Sequence, residues 1–328
     1  MLPARPEWLR KRLPLGAGVQ AMEGTLGRNR LHTICREACC PNQGECFSRG
    51  VATFLIMGRV CTRNCRFCAV RSGIPKPLDD GEPRRLAAEV KRLGLRFVVI
   101  TSVTRDDLPD GGAGHFARAI EAVRRECPGT GVEVLIPDFQ GSRASLETVV
   151  AAAPEVLNHN VETVPRLYRA VRPQADFRRS IELLRAAKVL NPSLVTKSGL
   201  LVGLGETRCE TLEVMAALRS ASCDVITIGQ YLSPSAAHHP VAEYVRPEAF
   251  EQYRLDALRL GFRGAAASPF VRSSYRAETL YRIAGSGGET EGLPPLPKQL
   301  TGKDDGRTGT WRKETCLYDS STPGVSHP

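Results

Sequence analysis

Six short apolar, β-rich runs recur along the chain, and a helix-period stretch follows each one. The runs are 53–58 (TFLIMG), 96–102, 132–138, 155–162, 194–203 and 224–230. Amphipathic stretches fall near 82–93, 113–126, 143–152, 164–171, 176–190 and 207–221, and another helix is expected at 247–260. Parallel neighbours need a crossover of a dozen residues or more, so this alternation predicts an α/β fold with a parallel sheet. Six strand–helix units predict a sheet that curls into a partial (β/α)6 barrel of the TIM type. Helix punctuation agrees. Asp176 and Thr207 stand where N-caps are wanted, and Gly94 and Gly261 where helices end.

In such barrels the chemistry lies at the C-terminal ends of the strands. Polar residues collect there on every strand. Cys61 to Cys68 follow the first, Thr101 to Asp107 the second and Asp138 the third. Asn158, Asn160 and Glu162 mark the end of the fourth, Lys197 lies within the fifth, and Gln230 ends the sixth.

The chain has eleven cysteines, seven of them between positions 35 and 68. A disulfide framework suits short secreted chains, and 328 residues is long for one. Six of the seven form two triplets. Cys61, Cys65 and Cys68 are spaced C-x3-C-x2-C, and Cys35, Cys40 and Cys46 are spaced C-x4-C-x5-C. Three thiolates can hold three irons of a cubane cluster and leave the fourth iron open to a substrate or cofactor. Structural zinc prefers four protein ligands, and no fourth Cys or His sits beside the second triplet. Cys39, beside Cys40, can compete as a ligand. Adjacent His238 and His239 lack ligand spacing.

The formal net charge is +10, with Arg spread along the whole sequence. A basic surface attracts nucleic acid, anionic lipid or an acidic protein. No basic stretch is interleaved with aromatics, and aromatic content is only 6%, which argues against nucleic acid. An acidic protein is the partner the charge suggests, and solvated Arg on helix faces is the plain alternative. No apolar run reaches 18 residues, so no membrane span is expected. The basic first residues, MLPARPEWLRKRLPLGAG, lack an apolar core and read as mature protein, which gives a cytoplasmic expectation.

An aromatic precedes the last cysteine in Cys61-Thr-Arg-Asn-Cys65-Arg-Phe67-Cys68, and this stretch resembles the signature of radical S-adenosylmethionine (SAM) enzymes. The upstream stretch CREACCPNQGEC resembles the auxiliary-cluster motif of the lipoyl synthase family. So do TSVTRDDLPDGGAGHF (101–116), LNHNVETVPRLYRAVRPQADFRRS (157–180), TKSGLLVGLGET (196–207) and Arg272-Ser273-Ser274-Tyr275. The resemblance covers about residues 5–282. It implies two 4Fe-4S clusters and SAM as cofactors. The cluster on Cys61, Cys65 and Cys68 would chelate SAM through its open iron and cleave it to a hydrogen-abstracting radical. The cluster on Cys35, Cys40 and Cys46, with Ser274 as its oxygen ligand, would be the sulfur donor. The implied substrate is an octanoyl chain on a lysine of a lipoyl carrier protein, which gains sulfur at C6 and C8. An electron donor such as ferredoxin or flavodoxin and a cluster-carrier protein are the further implied partners.

A serine oxygen is a weaker partner for iron than thiolate, which suits a cluster that is dismantled. The plain alternative makes Ser273 and Ser274 turn hydroxyls. Asn158, Glu162, Arg172, Lys197 and Gln230 are candidates for holding SAM, with Arg172 and Lys197 suited to its carboxylate. Salt bridging at the barrel mouth is the alternative for those two. Another sulfur-inserting radical enzyme and a non-catalytic iron–sulfur or zinc module are the competing functions. Three segments are expected: an extension (1–50) carrying the first triplet, the barrel with the RSSY stretch (51–283), and a disordered tail rich in Gly, Pro and charge (284–328).

Overall fold

The computed structural model describes residues 5–10, 17–48 and 51–285. Helix α1 (Ala17–Arg28) leads to a two-residue strand, β1 (His32–Thr33), and to two short helices, α2 (Ile34–Glu37) and α3 (Gln43–Ser48). Strand β2 (Thr53–Ile56) opens the barrel. The small parallel pair β3 (Val60–Cys61) and β4 (Arg71–Ser72) then brackets the cysteine loop. Next come α4 (Glu82–Arg92), β5 (Phe97–Ser102), α5 (Ala113–Glu126), β6 (Gly131–Leu135) and α6 (Arg143–Ala151). They are followed by β7 (Val156–Asn158), α7 (Tyr168–Val171), α8 (Phe177–Leu190), β8 (Val195–Val202) and α9 (Arg208–Ser220). Strand β9 (Val225–Gln230), α10 (Pro247–Arg259), β10 (Gly264–Ala267) and α11 (Ala277–Gly285) complete the described chain.

The main sheet has the order β1-β2-β5-β6-β7-β8-β9-β10. All its pairings are parallel except β1 with β2. The six expected strands are all present, in sequence order. Every residue of β9 and all but one of β8 are buried, as strands covered on both faces must be. Side chains from β2, β5, β6, β8 and β9 face one common cavity, so the sheet curves around it as an open barrel. Leu280 and Ala284 of α11 pack with Val156, Val195 and Val225, residues at the starts of three strands, and so plug the opposite end.

Besides the small pair β3 and β4, two strands of the main sheet escaped the sequence reading. The sequence GAAA of β10 has no β-branched or aromatic residue, and only pairing with β9 makes it a strand. Strand β1 is too short to show a period. It joins the barrel edge with His32 opposite Leu55 and Thr33 opposite Phe54. The fourth run is shorter than expected. Regular pairing stops at Asn158, and Glu162 takes a left-handed φ of 64° while bridging to Leu200.

The caps follow their chemistry. The Asp176 carboxylate accepts from the Arg179 amide. Thr207 and Glu210 form a reciprocal capping box on α9. Gly94 and Gly261 take φ of 60° and 89° after α4 and α10. Helix α11 ends at Gly285, so it includes the first two residues of the expected tail. The remainder of that tail, 286–328, lies outside the described residues. Among the described residues no helix is long and apolar enough to cross a membrane.

Candidate active site

The cavity at the C-terminal ends of the strands has a volume of about 850 Å³. Cys35, Cys40, Cys61, Cys65, Cys68 and Ser274 all line it, so the structure brings two thiols of the first triplet, all three of the second and part of the RSSY stretch to one chamber. Cys39 lines it too, at a left-handed φ of 50°. Cys46 does not line it. It lies on α3 and packs against the core, with its amide bonded to the Asn42 carbonyl at 2.9 Å.

The turn that launches the second triplet is built from buried polar contacts. Met57 and Gly58, just past β2, take φ of 67° and 92°. The Met57 amide donates to the Glu82 carboxylate at 2.8 Å, and His115 pins the same oxygen at 2.8 Å. A Cβ on Gly112 would stand 2.3 Å from the Met57 sulfur, and one on Gly111 would stand 2.9 Å from the Phe139 ring. This glycine pair therefore makes room for protein side chains and serves as a turn.

The loop itself is clamped from several sides. Arg63, between Cys61 and Cys65, is buried. Its Nε donates to Asp106 at 2.7 Å and its Nη2 to Asp138 at 2.6 Å. Burial opposes the charge on Asp138, yet the bonds from Arg63 hold its carboxyl down to about 2. The Arg66 amide donates to the Val171 carbonyl, and the His239 amide to that of Arg66, both at 2.8 Å. His238 Nε2 meets the Cys68 carbonyl at 3.2 Å, and His239 Nε2 meets the Leu204 carbonyl at 3.0 Å. A carbonyl partner requires an N–H, so these ring nitrogens brace the backbone.

The thiols sit in a dry, sulfur-rich setting. Burial pushes Cys68 up to about 12, and Cys65 and Cys61 nearby push the same way. Burial also raises Cys65 and takes Cys35 up to about 11, with Cys40 adding to the latter. As free thiols they stay protonated, and a cation that binds them must displace protons. The amides of Arg63 and Thr104 both point at the Cys61 sulfur, at 3.4 and 3.3 Å. Cys61, Cys65 and Cys68, all facing one chamber, are of the soft donor type that iron–sulfur chemistry uses.

Of the residues expected to hold SAM, Glu162 and Arg172 line the cavity. Arg172 Nη1 donates to the carbonyls of Asn160 and Val161, both at 2.9 Å, and its guanidinium lies 5.2 Å from the Tyr168 ring centroid. Its Nε is buried without a partner. Burial raises the Glu162 carboxyl against the opposing pull of Arg172.

The other three are placed elsewhere. Lys197 donates to both oxygens of Glu133, at 2.9 and 3.1 Å, and each side chain is 1% exposed. Asn158 donates to the same Glu133 at 3.1 Å. Gln230 donates to the carbonyls of Val202, Tyr231 and Glu243 and accepts from the Val245 amide. None of the three lines the cavity. Their bonds run to the barrel interior and the loop after β9, while the Asn158 Oδ1 is buried without a partner.

Sequence reading assigned Arg63 no role, and named Asn160 only as a strand-end residue and Arg272 only as part of the RSSY stretch. Asn160 donates to Glu162 at 2.9 Å and to Ser273 at 2.6 Å, and its own Oδ1 is buried without a partner. The half-buried Arg272 interacts electrostatically with Cys40 and Glu162. An arginine inside a cysteine-rich loop is a visible signal, but its carboxylates lie 43 and 75 residues away.

Comparison with known proteins agrees with this geometry. Residues 55–218 match the radical SAM superfamily. The chain is 57% identical over 284 residues to a lipoyl synthase of Caldanaerobacter subterraneus subsp. tengcongensis, covering 87% of this chain and 99% of that one. It is 53% identical over 283 residues to a lipoyl synthase of Caldicellulosiruptor saccharolyticus, covering 86% and 99%. Among solved structures, HydG, a maturase of the FeFe hydrogenase, shares the fold with a TM-score of 0.54 at 16% identity, over 69% of this chain and 53% of that one. Methylornithine synthase gives a TM-score of 0.50 at 15% identity, over 84% and 90%. The chain therefore belongs to the lipoyl synthase family of the radical SAM superfamily.

Proposed function

We propose that this protein is a lipoyl synthase that places two sulfur atoms, at C6 and C8, on an octanoyl chain carried by a protein lysine. The observation that carries the reading is that one chamber receives thiols from both triplets together with the RSSY stretch. Cys61, Cys65 and Cys68 would hold one 4Fe-4S cluster. Cys35, Cys40 and Cys46, with Ser274, would hold the auxiliary one, Cys46 being assigned from its spacing. When bound, the clusters and SAM supply the electron, the hydrogen-abstracting radical and the inserted sulfur.

The chain's own residues do the rest. Arg63, Asp106 and Asp138 fix the loop that presents the three thiols. Arg172 offers a buried cation with an unused N–H for the SAM carboxylate, and Glu162 an acceptor beside it. Apolar wall residues such as Leu135, Leu200 and Phe270 exclude water from a space where a radical would otherwise be quenched. A net charge of +10 favours an acidic lipoyl carrier domain as the protein substrate. A low-potential donor such as ferredoxin or flavodoxin, a cluster-carrier protein and a cytoplasmic setting complete the reading.

The test is turnover of an octanoylated lysine peptide by anaerobically reconstituted protein with SAM and excess reductant. Mass spectrometry should show a gain of two sulfurs. Cys40→Ala should keep reductive SAM cleavage and make no lipoyl group, whereas Cys61→Ala should lose both. Full sulfur insertion by Cys40→Ala would refute the donor role of the first triplet.

A further inference from the structure

The segment from Phe270 to Tyr275 is stitched to both halves of the site. Toward the first triplet, Asn42 Nδ2 donates to the Phe270 carbonyl at 2.7 Å, and the Tyr275 hydroxyl donates to Glu45 at 3.0 Å. Asn42 lies between Cys40 and Cys46, and Glu45 immediately precedes Cys46. Toward the barrel, Asn160 Nδ2 donates to the Ser273 hydroxyl at 2.6 Å. Two strand glycines let the segment come this close. A Cβ on Gly229 would stand 2.1 Å from the Val271 carbonyl oxygen, and one on Gly199 would stand 2.7 Å from both Ser273 Oγ and Asn160 Oδ1.

Two adjacent serines reach the chamber, and their situations differ. Ser273 is engaged by Asn160, which is itself held by Glu162. The Ser274 hydroxyl makes no hydrogen bond among the described residues. For Ser273 to reach an iron it must give up a short bond and leave one N–H of the half-buried Asn160 amide unpaired, which costs about the worth of a hydrogen bond or more.

We propose that Ser273 is a positioning residue: held by Asn160 over Gly199, it fixes the segment so that Ser274 is the serine left for the auxiliary iron. This rests on the reading of the first triplet as a cluster site. Ser273 itself contributes no ligand. Its bond sets the register of the residue that does.

The test uses protein in which Cys61, Cys65 and Cys68 are all replaced by Ala, leaving the first triplet as the cluster site. After anaerobic reconstitution, iron and sulfide are counted, release of iron to a chelator is timed, and a Mössbauer spectrum is recorded. The parent should hold about four irons. Ser273→Ala should lose iron roughly two- to tenfold faster, the range one hydrogen bond is worth, with a changed signal for the oxygen-ligated iron. Ser273→Thr, which keeps the hydroxyl, should restore both. Gly199→Ala keeps Ser273 but pushes on its hydroxyl, and should reproduce the Ala phenotype even if Ser273→Ala folds poorly. Parent-like release and spectrum in Ser273→Ala or Gly199→Ala overturn the positioning role and leave the cluster reading standing. A parent that binds no iron overturns both.

Discussion

Single side chains in this barrel divide into those that face the chamber and those that hold the wall behind it. The Lys197–Glu133 pair belongs to the wall. Both groups are almost fully buried and bonded at 2.9 Å, and Asn158 shares the same carboxylate. Breaking a buried ion pair from one side leaves a charge with no water and no partner, whereas removing both partners is often neutral. Lys197→Met should therefore cost about 3–5 kcal/mol in urea unfolding. Lys197→Met with Glu133→Leu should recover most of that loss. If Lys197 instead served SAM, the double variant would still bind SAM poorly in equilibrium dialysis, so parent-like dialysis is the result expected here. Spacing alone made the cysteines candidate ligands, and strand-end polarity pointed to the rim where the chamber lies. It could not separate Glu162, which faces the chamber, from Lys197, which turns to Glu133, because partners 64 residues away decide that. The same holds for Asn160, whose importance lies in a contact spanning 113 residues.

Elements were easier to read than their contacts, because hydrophobic period and caps are local properties. All six expected strands, the Asp176 N-cap of α8 and the capping box of α9 follow from stretches a few residues long. Strand β10 does not, since its GAAA sequence is strand only by virtue of β9. The small residues there and on the inner strands reflect close approach of other chain. Gly229 on β9 is the sharpest case, with the Val271 carbonyl 2.1 Å and the Arg272 guanidinium 2.9 Å from where a Cβ would lie. The first contact is with backbone, which cannot swing aside as a side-chain tip can. Gly229→Ala should thus displace the strand-to-RSSY crossing while leaving the strand order intact, at a cost of roughly 1–3 kcal/mol of overpacking. Iron analysis should fall toward a one-cluster complement, and cleavage of SAM to 5′-deoxyadenosine should persist. Retention of the full two-cluster iron content would show that the crossing tolerates the methyl group.

For the molecule as a whole, the same buried polar bonds that shape the chamber make stability depend on pH. His159 is 2% exposed and ties β6 to α8. Its Nδ1 donates to the Ile136 carbonyl at 2.9 Å, which leaves Nε2 as the acceptor facing the Ser180 hydroxyl at 2.9 Å. The Nδ1–H bond persists in either protonation state, and Ser180, which also donates to the Asp176 carbonyl at 3.0 Å, can accept from a charged ring, so it is burial that keeps the ring neutral. Burial, joined by the nearby Arg172, takes the His159 pKa down to about 4 from an ordinary 6.5. Between those values the unfolded chain binds a proton that the folded chain refuses. Stability therefore rises with pH across that window, and is lost progressively as pH falls from 6.5 toward 4. His32 is shifted the same way, first by burial and then by Arg59, and adds to the slope. Asp138 does not contribute there. Its carboxyl is held at about 2, so the stability it lends is complete above its unfolded value near 3.8 and is lost only as pH drops from there toward 2. Urea unfolding of reconstituted protein at constant ionic strength should accordingly be flat above about pH 6.5 and fall by the order of 2–3 kcal/mol on the way to pH 4. His159→Gln can offer an amide donor to Ile136 and has no proton to take up, so its limb should be shallower, with the remainder belonging to His32. An unchanged slope in His159→Gln would place the proton uptake elsewhere in the fold.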